Sequence, residues 1–369
     1  MPSPRAPRSR RQFLRTAAAA AGTGLTAAVA GCNARTLRSG VDVHFQTLAV
    51  DSPPIGLVKT GVWFVAAGRD GRVVGMDPDD GEVQWATDTV AELQAPPVGR
   101  AGRVYVAGTD AVGVDAASER WRTSLPGVAS ALTVESDTDT VTVGTEGGHV
   151  VAVDSGDGTF VDADDGERVW EARLTESGRA RVDALATRDG VVYAGSRDGV
   201  TVAFDAQSGA VRWRVDAAAS AVAPAEGDVL LGRRRVHGVR GGDSDGAVAW
   251  SHDTGTDWTT GMSVTTQTSG ARWVLVGNRT RDGYALALSG DGERLWRERL
   301  TGRAAALTAV RDGRFAVGVE GERPGVQQFT TDGDATWFFE TEASVVDVAF
   351  GGNRVWAVTA SGSVVGLSG

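Results

Sequence analysis

Short stretches in which β-branched and aromatic residues alternate with other residues, or run together, recur along nearly the whole chain. "RVYVAG", "GVVYAG", "GVTVAF" and "VRWRVD" are examples, bounded by Gly or Asp. Such runs predict short β-strands and exclude helical repeats, whose apolar residues would return every three or four positions. Between two of these strands lies "FDAQSGAVRW", which sets Asp205, Gly209 and Trp213 at steps of four. The Asp is expected to accept backbone N–H bonds in a tight turn, the Gly to supply a positive φ, and the Trp to stand on the outgoing strand.

The spacing repeats. Asp77, Gly81 and Trp85 form a full copy, as do Asp162, Gly166 and Trp170; "DAASERW", ending at Trp121, is two residues shorter. The Gly-x3-Trp part alone persists at Gly246 and Trp250, Gly292 and Trp296, and Gly333 and Trp337, where the Asp position holds Gly242, Leu288 and Phe329. These seven tryptophans lie 36, 49, 43, 37, 46 and 41 residues apart. With helices excluded, periods of roughly 40 to 50 residues indicate a propeller.

First strands placed near Pro53, Ala95, Val128, Arg181, Ala219, Thr260, Ala304 and Ser344 predict an all-β, eight-bladed β-propeller of four-stranded antiparallel blades, with seven blades as the alternative. The last blade ends after three strands and lacks its tryptophan, while "VDVHFQTLAV" at 41–50 precedes the first complete blade. The N-terminal strand is therefore expected to complete the last blade and remove the open edges. Each Trp wedged between blades would take about 150–250 Å² out of water, on the order of a few kcal/mol at about 25 cal/mol per Å². The third repeat carries eight extra residues, because Asp154 and Gly158 duplicate the spacing of Asp162 and Gly166, so this insert is expected to loop out between strands.

Composition fits a folded, turn-rich chain: 369 residues, 41% hydrophobic, with 50 glycines and 11 prolines. The net charge is −10, and 36 of the 37 basic residues are arginine, Lys59 being the single lysine. Nucleic acid is disfavoured as a partner, since like charges would be brought together. An acidic, lysine-poor chain resembles exported proteins of salt-loving archaea.

The N-terminal segment predicts an address. "SRRQFLRTAAAAAGTGLTAAVAGC" has Arg10 and Arg11, then Phe13 and Leu14, then a weakly apolar stretch from Thr16 to Ala30, and resembles a twin-arginine export signal. That stretch is shorter than the about 20 residues a membrane-spanning helix needs. It ends in Val29-Ala30-Gly31-Cys32, which resembles a lipobox with Cys32 as the lipidated residue. The expected organisation is a signal peptide at 1–31, a lipid-anchored tether at 32–40 and a propeller at 41–369, on the outer face of the cytoplasmic membrane. Cleavage before Cys32 removes five arginines and no acids, so −10 becomes −15. Cys32 is the sole cysteine, so the propeller has no internal disulfide to draw on.

Other candidate chemistry is sparse. The acidic run "DSGDGTFVDADDGE" does not follow the EF-hand order and reads as a solvated turn. His44, His149, His237 and His252 show no zinc-ligand spacing. The aromatics Trp63, Tyr105, Tyr193, Trp273, Phe315 and Trp356 near the second strands read as core packing. Arg233-Arg234-Arg235 could grip a carboxylate or phosphate through paired guanidinium donors, against the plainer reading of a solvated loop or strand edge.

The Asp, Gly and Trp spacing resembles the tryptophan-docking motif of PQQ-type (pyrroloquinoline-quinone-type) β-propeller repeats, a WD40-like architecture. The family includes quinoprotein dehydrogenases, which pair adjacent cysteines against the quinone and hold calcium. With one cysteine, claimed by the lipobox, neither PQQ nor calcium is expected here, and no catalytic constellation is found; an enzyme or redox protein binding a small molecule on the propeller axis is the alternative. The family also includes the propeller lipoprotein that assists assembly of outer-membrane β-barrels. That resemblance implies a monomeric, non-catalytic binding or scaffold protein with another envelope or exported protein as partner.

Overall fold

A computed structural model of the protein describes residues 40–89, 92–135, 140–156, 165–176, 180–225, 227–241, 245–267, 270–279 and 281–369. The export-signal residues Arg10 and Arg11 and the lipobox Cys32 lie outside the described residues, as do Asp162 and Gly242.

The described residues form 32 strands, β1 to β32 in chain order, arranged in eight four-stranded antiparallel sheets. Seven sheets each use four consecutive strands. The eighth has the order β1-β32-β31-β30, from Asp42–Leu48, Ser363–Ser368, Arg354–Thr359 and Val345–Gly351. The N-terminal strand thus completes the last blade, as the unfinished final repeat predicts. The seven other first strands begin at Pro54, Ala95, Ala129, Ala184, Ala221, Trp258 and Arg303, within three residues of their expected positions.

First strands of adjacent blades touch one another around the axis, including those of blades eight and one. The core is divided accordingly into eight apolar clusters, each built from two neighbouring blades rather than from one. At the closing seam, for example, Phe64, Val74 and Met76 of blade one pack with Phe45, Trp356 and Val364 of blade eight. A blade alone cannot bury both faces of its sheet, so the ring is the unit of stability.

The second-strand aromatics follow this pattern. Tyr105, Tyr193, Trp273, Phe315 and Trp356 are buried. Trp63, one residue before the strand Phe64–Gly68, is half-buried and packs against the cluster between blades one and two, while the Phe64 ring stacks on Trp356 at 3.8 Å.

Candidate functional site: docking ring and surface cavities

The repeated residues meet between blades. In blade four, the Asp205 carboxylate accepts N–H bonds from Gln207 and Ser208, and Gly209 turns the chain at φ +70°. Arg212 first, and Ser208 second, hold the Asp205 carboxyl down at about 2. The preceding blade's Trp170 lays its ring on Gly209, where a Cβ would sit 2.7 Å from the indole. Its indole N–H donates to the carbonyl of Ala206, one residue past Asp205, at 2.8 Å.

The same docking recurs around the ring. Trp121 covers Gly166 and donates to Ser155 at 3.2 Å; Trp250 covers Gly292 and donates to Gly290 at 2.9 Å; Trp296 covers Gly333 and donates to Thr331 at 2.8 Å. Trp213 covers Gly246 without a partner for its N–H. Trp85 packs against the cluster between blades one and two and its N–H has no partner among the described residues; in the shortened turn of blade two Ala116 and Ala117 take positive φ in place of glycine. Trp337 packs against Gly369, which stands one residue beyond the end of the last strand.

Three details depart from the sequence alignment. In blade three the turn opens at Asp154, whose carbonyl accepts the Gly166 N–H at 3.2 Å and whose carboxylate accepts the Gly156 N–H at 2.7 Å, so the insert lies inside the turn. In blades six and seven the turn is one residue shorter, and its first residue is Ser289 or Thr330 rather than Leu288 or Phe329. The Ser289 hydroxyl accepts the Glu293 N–H at 3.0 Å and the Thr330 hydroxyl accepts the Asp334 N–H at 3.2 Å, replacing the carboxylate. In blade eight Phe45 of the N-terminal strand pairs with Gly366 and lays its ring on Gly81. A signal for Phe45 was present in the sequence: Phe45-x-Thr47 matches Trp121-x-Thr123, and both threonine hydroxyls donate to the carbonyl of the covered glycine, Gly81 or Gly166.

His237 and His252 stand on paired strands of blade five, whereas His149 lies in blade three and His44 in blade eight. His44 bonds Ser368, His149 bonds Glu171 and His237 bonds Ser251. Among the described residues no group of three His, Cys, Asp or Glu is placed to hold a metal ion.

Arg233-Arg234-Arg235 form the hairpin between Asp228–Gly232 and Arg235–Arg240 in blade five. With Ala218, His237, Asp253 and Asp257 they line an open cavity of about 660 Å³. The hairpin backbone is pinned, because the buried Thr254 donates its hydroxyl to the Arg234 carbonyl at 3.1 Å and the buried Thr259 donates to the Arg233 carbonyl at 2.6 Å. A second cavity, about 430 Å³, lies between blades seven and eight among Arg311, Arg314, Phe350, Asn353 and Gly369.

Residues 29–161 and 159–268 match the protein family described as outer membrane protein assembly factor BamB. The chain belongs to that family. The BamB-family match runs from before the first strand into blade six. The chain is 29% identical over 193 residues to the outer membrane protein assembly factor BamB of Nitrosomonas eutropha, covering 46% of this chain and 44% of that protein, less than half its length. The computationally designed Ika8 protein shares the fold at a TM-score of 0.74 and 16% identity, covering 88% of this chain and 98% of that one. Sqt1 of Saccharomyces cerevisiae does so at a TM-score of 0.74 and 11% identity, covering 87% and 97%. At these identities the two structures share the propeller fold with this BamB-family chain.

Proposed function

We propose that the protein is an exported, lipid-anchored propeller that acts as a non-catalytic docking platform for another protein at the cell envelope. The observation that carries this reading is the assembly-factor family match over residues 29–268. The geometry is consistent with a platform, since the repeated Asp, Gly and Trp residues are spent on blade-to-blade docking and the turns between strands are left at the surface. Arg10, Arg11 and Cys32 supply the address in this reading, the paired arginines as the export signal and the thiol as the lipid acceptor. One lipid chain gives only marginal anchoring, so the reading requires a second chain or protein contacts.

Affinity purification of the full-length protein from native membranes with crosslinking, followed by mass spectrometry, tests the platform. A stoichiometric envelope protein is the expected result; its consistent absence would overturn the proposal. Fractionation of Cys32→Ala tests the anchor separately, with release from the membrane expected and retention counting against lipidation.

A further inference from the structure

We infer that the blade-five cavity is a binding site for a small polyanion, a molecule carrying two or more phosphate or carboxylate groups. It goes beyond the docking-platform reading and does not depend on it.

The setting is unusual for this chain. A protein of net charge −10 places three consecutive guanidinium groups on one wall of a cavity of about 660 Å³, a volume within the range of small-molecule sites. Adjacent like charges repel, and the hairpin leaves Arg234 and Arg235 exposed to solvent while its backbone is held in place. The carbonyls of Arg233 and Arg234 are fixed by Thr259 and Thr254, and the Arg233 N–H closes the hairpin on the Arg235 carbonyl at 3.0 Å. The anchors use main-chain atoms, so they do not occupy the Arg234 and Arg235 side chains.

The three side chains are not equivalent. Arg233 reaches across the blade boundary and donates to the carbonyl of Arg197, whose own guanidinium is committed to Asp183 at 2.7 Å. Arg234 and Arg235 are exposed and face the cavity. Their planar forks suit two-point contact with a carboxylate or phosphate. The cavity carboxylates Asp253 and Asp257 leave it with a surplus of one positive charge. The Asp253 carboxylate accepts the Gly255 N–H at 2.8 Å and is held below the usual carboxylate range by that bond first and then by Arg235 and Arg234 nearby. His237 adds a hydrogen-bonding ring held against Ser251 at 2.7 Å, its pKa lowered first by burial and then by Arg235. Two exposed cationic forks on a pinned turn, with a hydrogen-bonding ring beside them, match a ligand with two separated anionic groups better than a lone halide or acetate.

The test is calorimetric titration of the purified full chain at fixed ionic strength with pyrophosphate and, separately, with citrate. Saturable binding of at least one, weakened tenfold or more in Arg234→Ala/Arg235→Ala, is expected, and the preferred titrant separates phosphate from carboxylate chemistry. Neither substitution removes a main-chain anchor, and an unchanged thermal midpoint would show that the variant folds. Arg311→Ala/Arg314→Ala in the cavity between blades seven and eight should bind like the unaltered protein. No saturable binding of either anion at millimolar concentration would overturn the inference. So would affinity equal in the blade-five variant and the unaltered protein, or loss of affinity equally in both double variants.

Discussion

Phe45 and Arg354 divide between them the work that one tryptophan does at four other blade junctions. The Phe45 ring covers Gly81, while the carbonyl of Pro78, one residue past Asp77, accepts from the Arg354 guanidinium at 3.3 Å. At the junctions of Trp121, Trp170, Trp250 and Trp296, a single indole both covers the glycine and reaches that carbonyl.

Phe45→Ala should therefore cost about 3–5 kcal/mol in chemical denaturation, as for other buried Phe truncations. Arg354→Ala should cost about 1–3 kcal/mol by leaving the turn carbonyls without their donor. In a Phe45→Trp background the Arg354→Ala loss should shrink, because the new indole N–H is placed for the same carbonyl. Additive losses in that double-mutant cycle would refute the shared role.

Trp170→Phe and Trp213→Phe separate the ring from its hydrogen bond. Both side chains are buried, but only Trp170 has a partner for its N–H. Urea titration should show the Trp170 substitution costing about 1 kcal/mol more than the other.

Gly209→Ala combines a left-handed backbone with a methyl placed 2.7 Å from Trp170. Gly227 has a similar φ of +77° and open space around it. Alanine at Gly227 should cost about 1–2 kcal/mol from backbone strain alone, and alanine at Gly209 clearly more. Equal thermal shifts would mean that the indole does not need the bare glycine.

Asp347 sits on β30, where its carboxylate accepts the Leu57 N–H of blade one at 2.9 Å. Burial pushes its carboxyl from 3.8 up to about 6, against the hydrogen bonds from Leu57 and Val348. A folded-state value above the unfolded one means that the folded protein holds this proton more tightly. Its contribution to stability is therefore largest below the unfolded value and falls away as pH rises through the interval to about 6. Asp347→Asn should remove that fall, so the variant's stability relative to the unaltered protein should increase from pH 4 to pH 6 and level off above. A pH-independent difference would show that the carboxyl does not titrate in this window.

The fold was legible because seven tryptophans at periods of 36 to 49 residues leave little else to build, and the three-stranded final repeat pointed to its missing strand. What the spacing hid was chemistry that a fixed offset cannot follow. Ser289 and Thr330 replace a carboxylate with a hydroxyl, which shortens the turn by a residue and shifts the alignment onto Leu288 and Phe329. Asp154 opens a turn whose length the insert changes. The arginine run was visible, but a run alone cannot distinguish a solvated edge from a cavity wall. That distinction depends on Thr254 and Thr259, which look like ordinary loop residues until their hydroxyls are seen to pin the hairpin.

The pairing of β1 with β32 also has a temporal side. His44 and Ser368, hydrogen-bonded at 2.8 Å, are separated by 324 residues. During synthesis the first strand emerges with its edge exposed and its Phe45 ring without Gly366, and nothing local can satisfy it. Completion of the ring must wait for β32, which makes closure a late, long-range event of the kind that slows folding and leaves a chain open to misassociation. A product stalled before β32 would carry the unsatisfied seam, so that strand serves as the ring's own check that all eight blades are present.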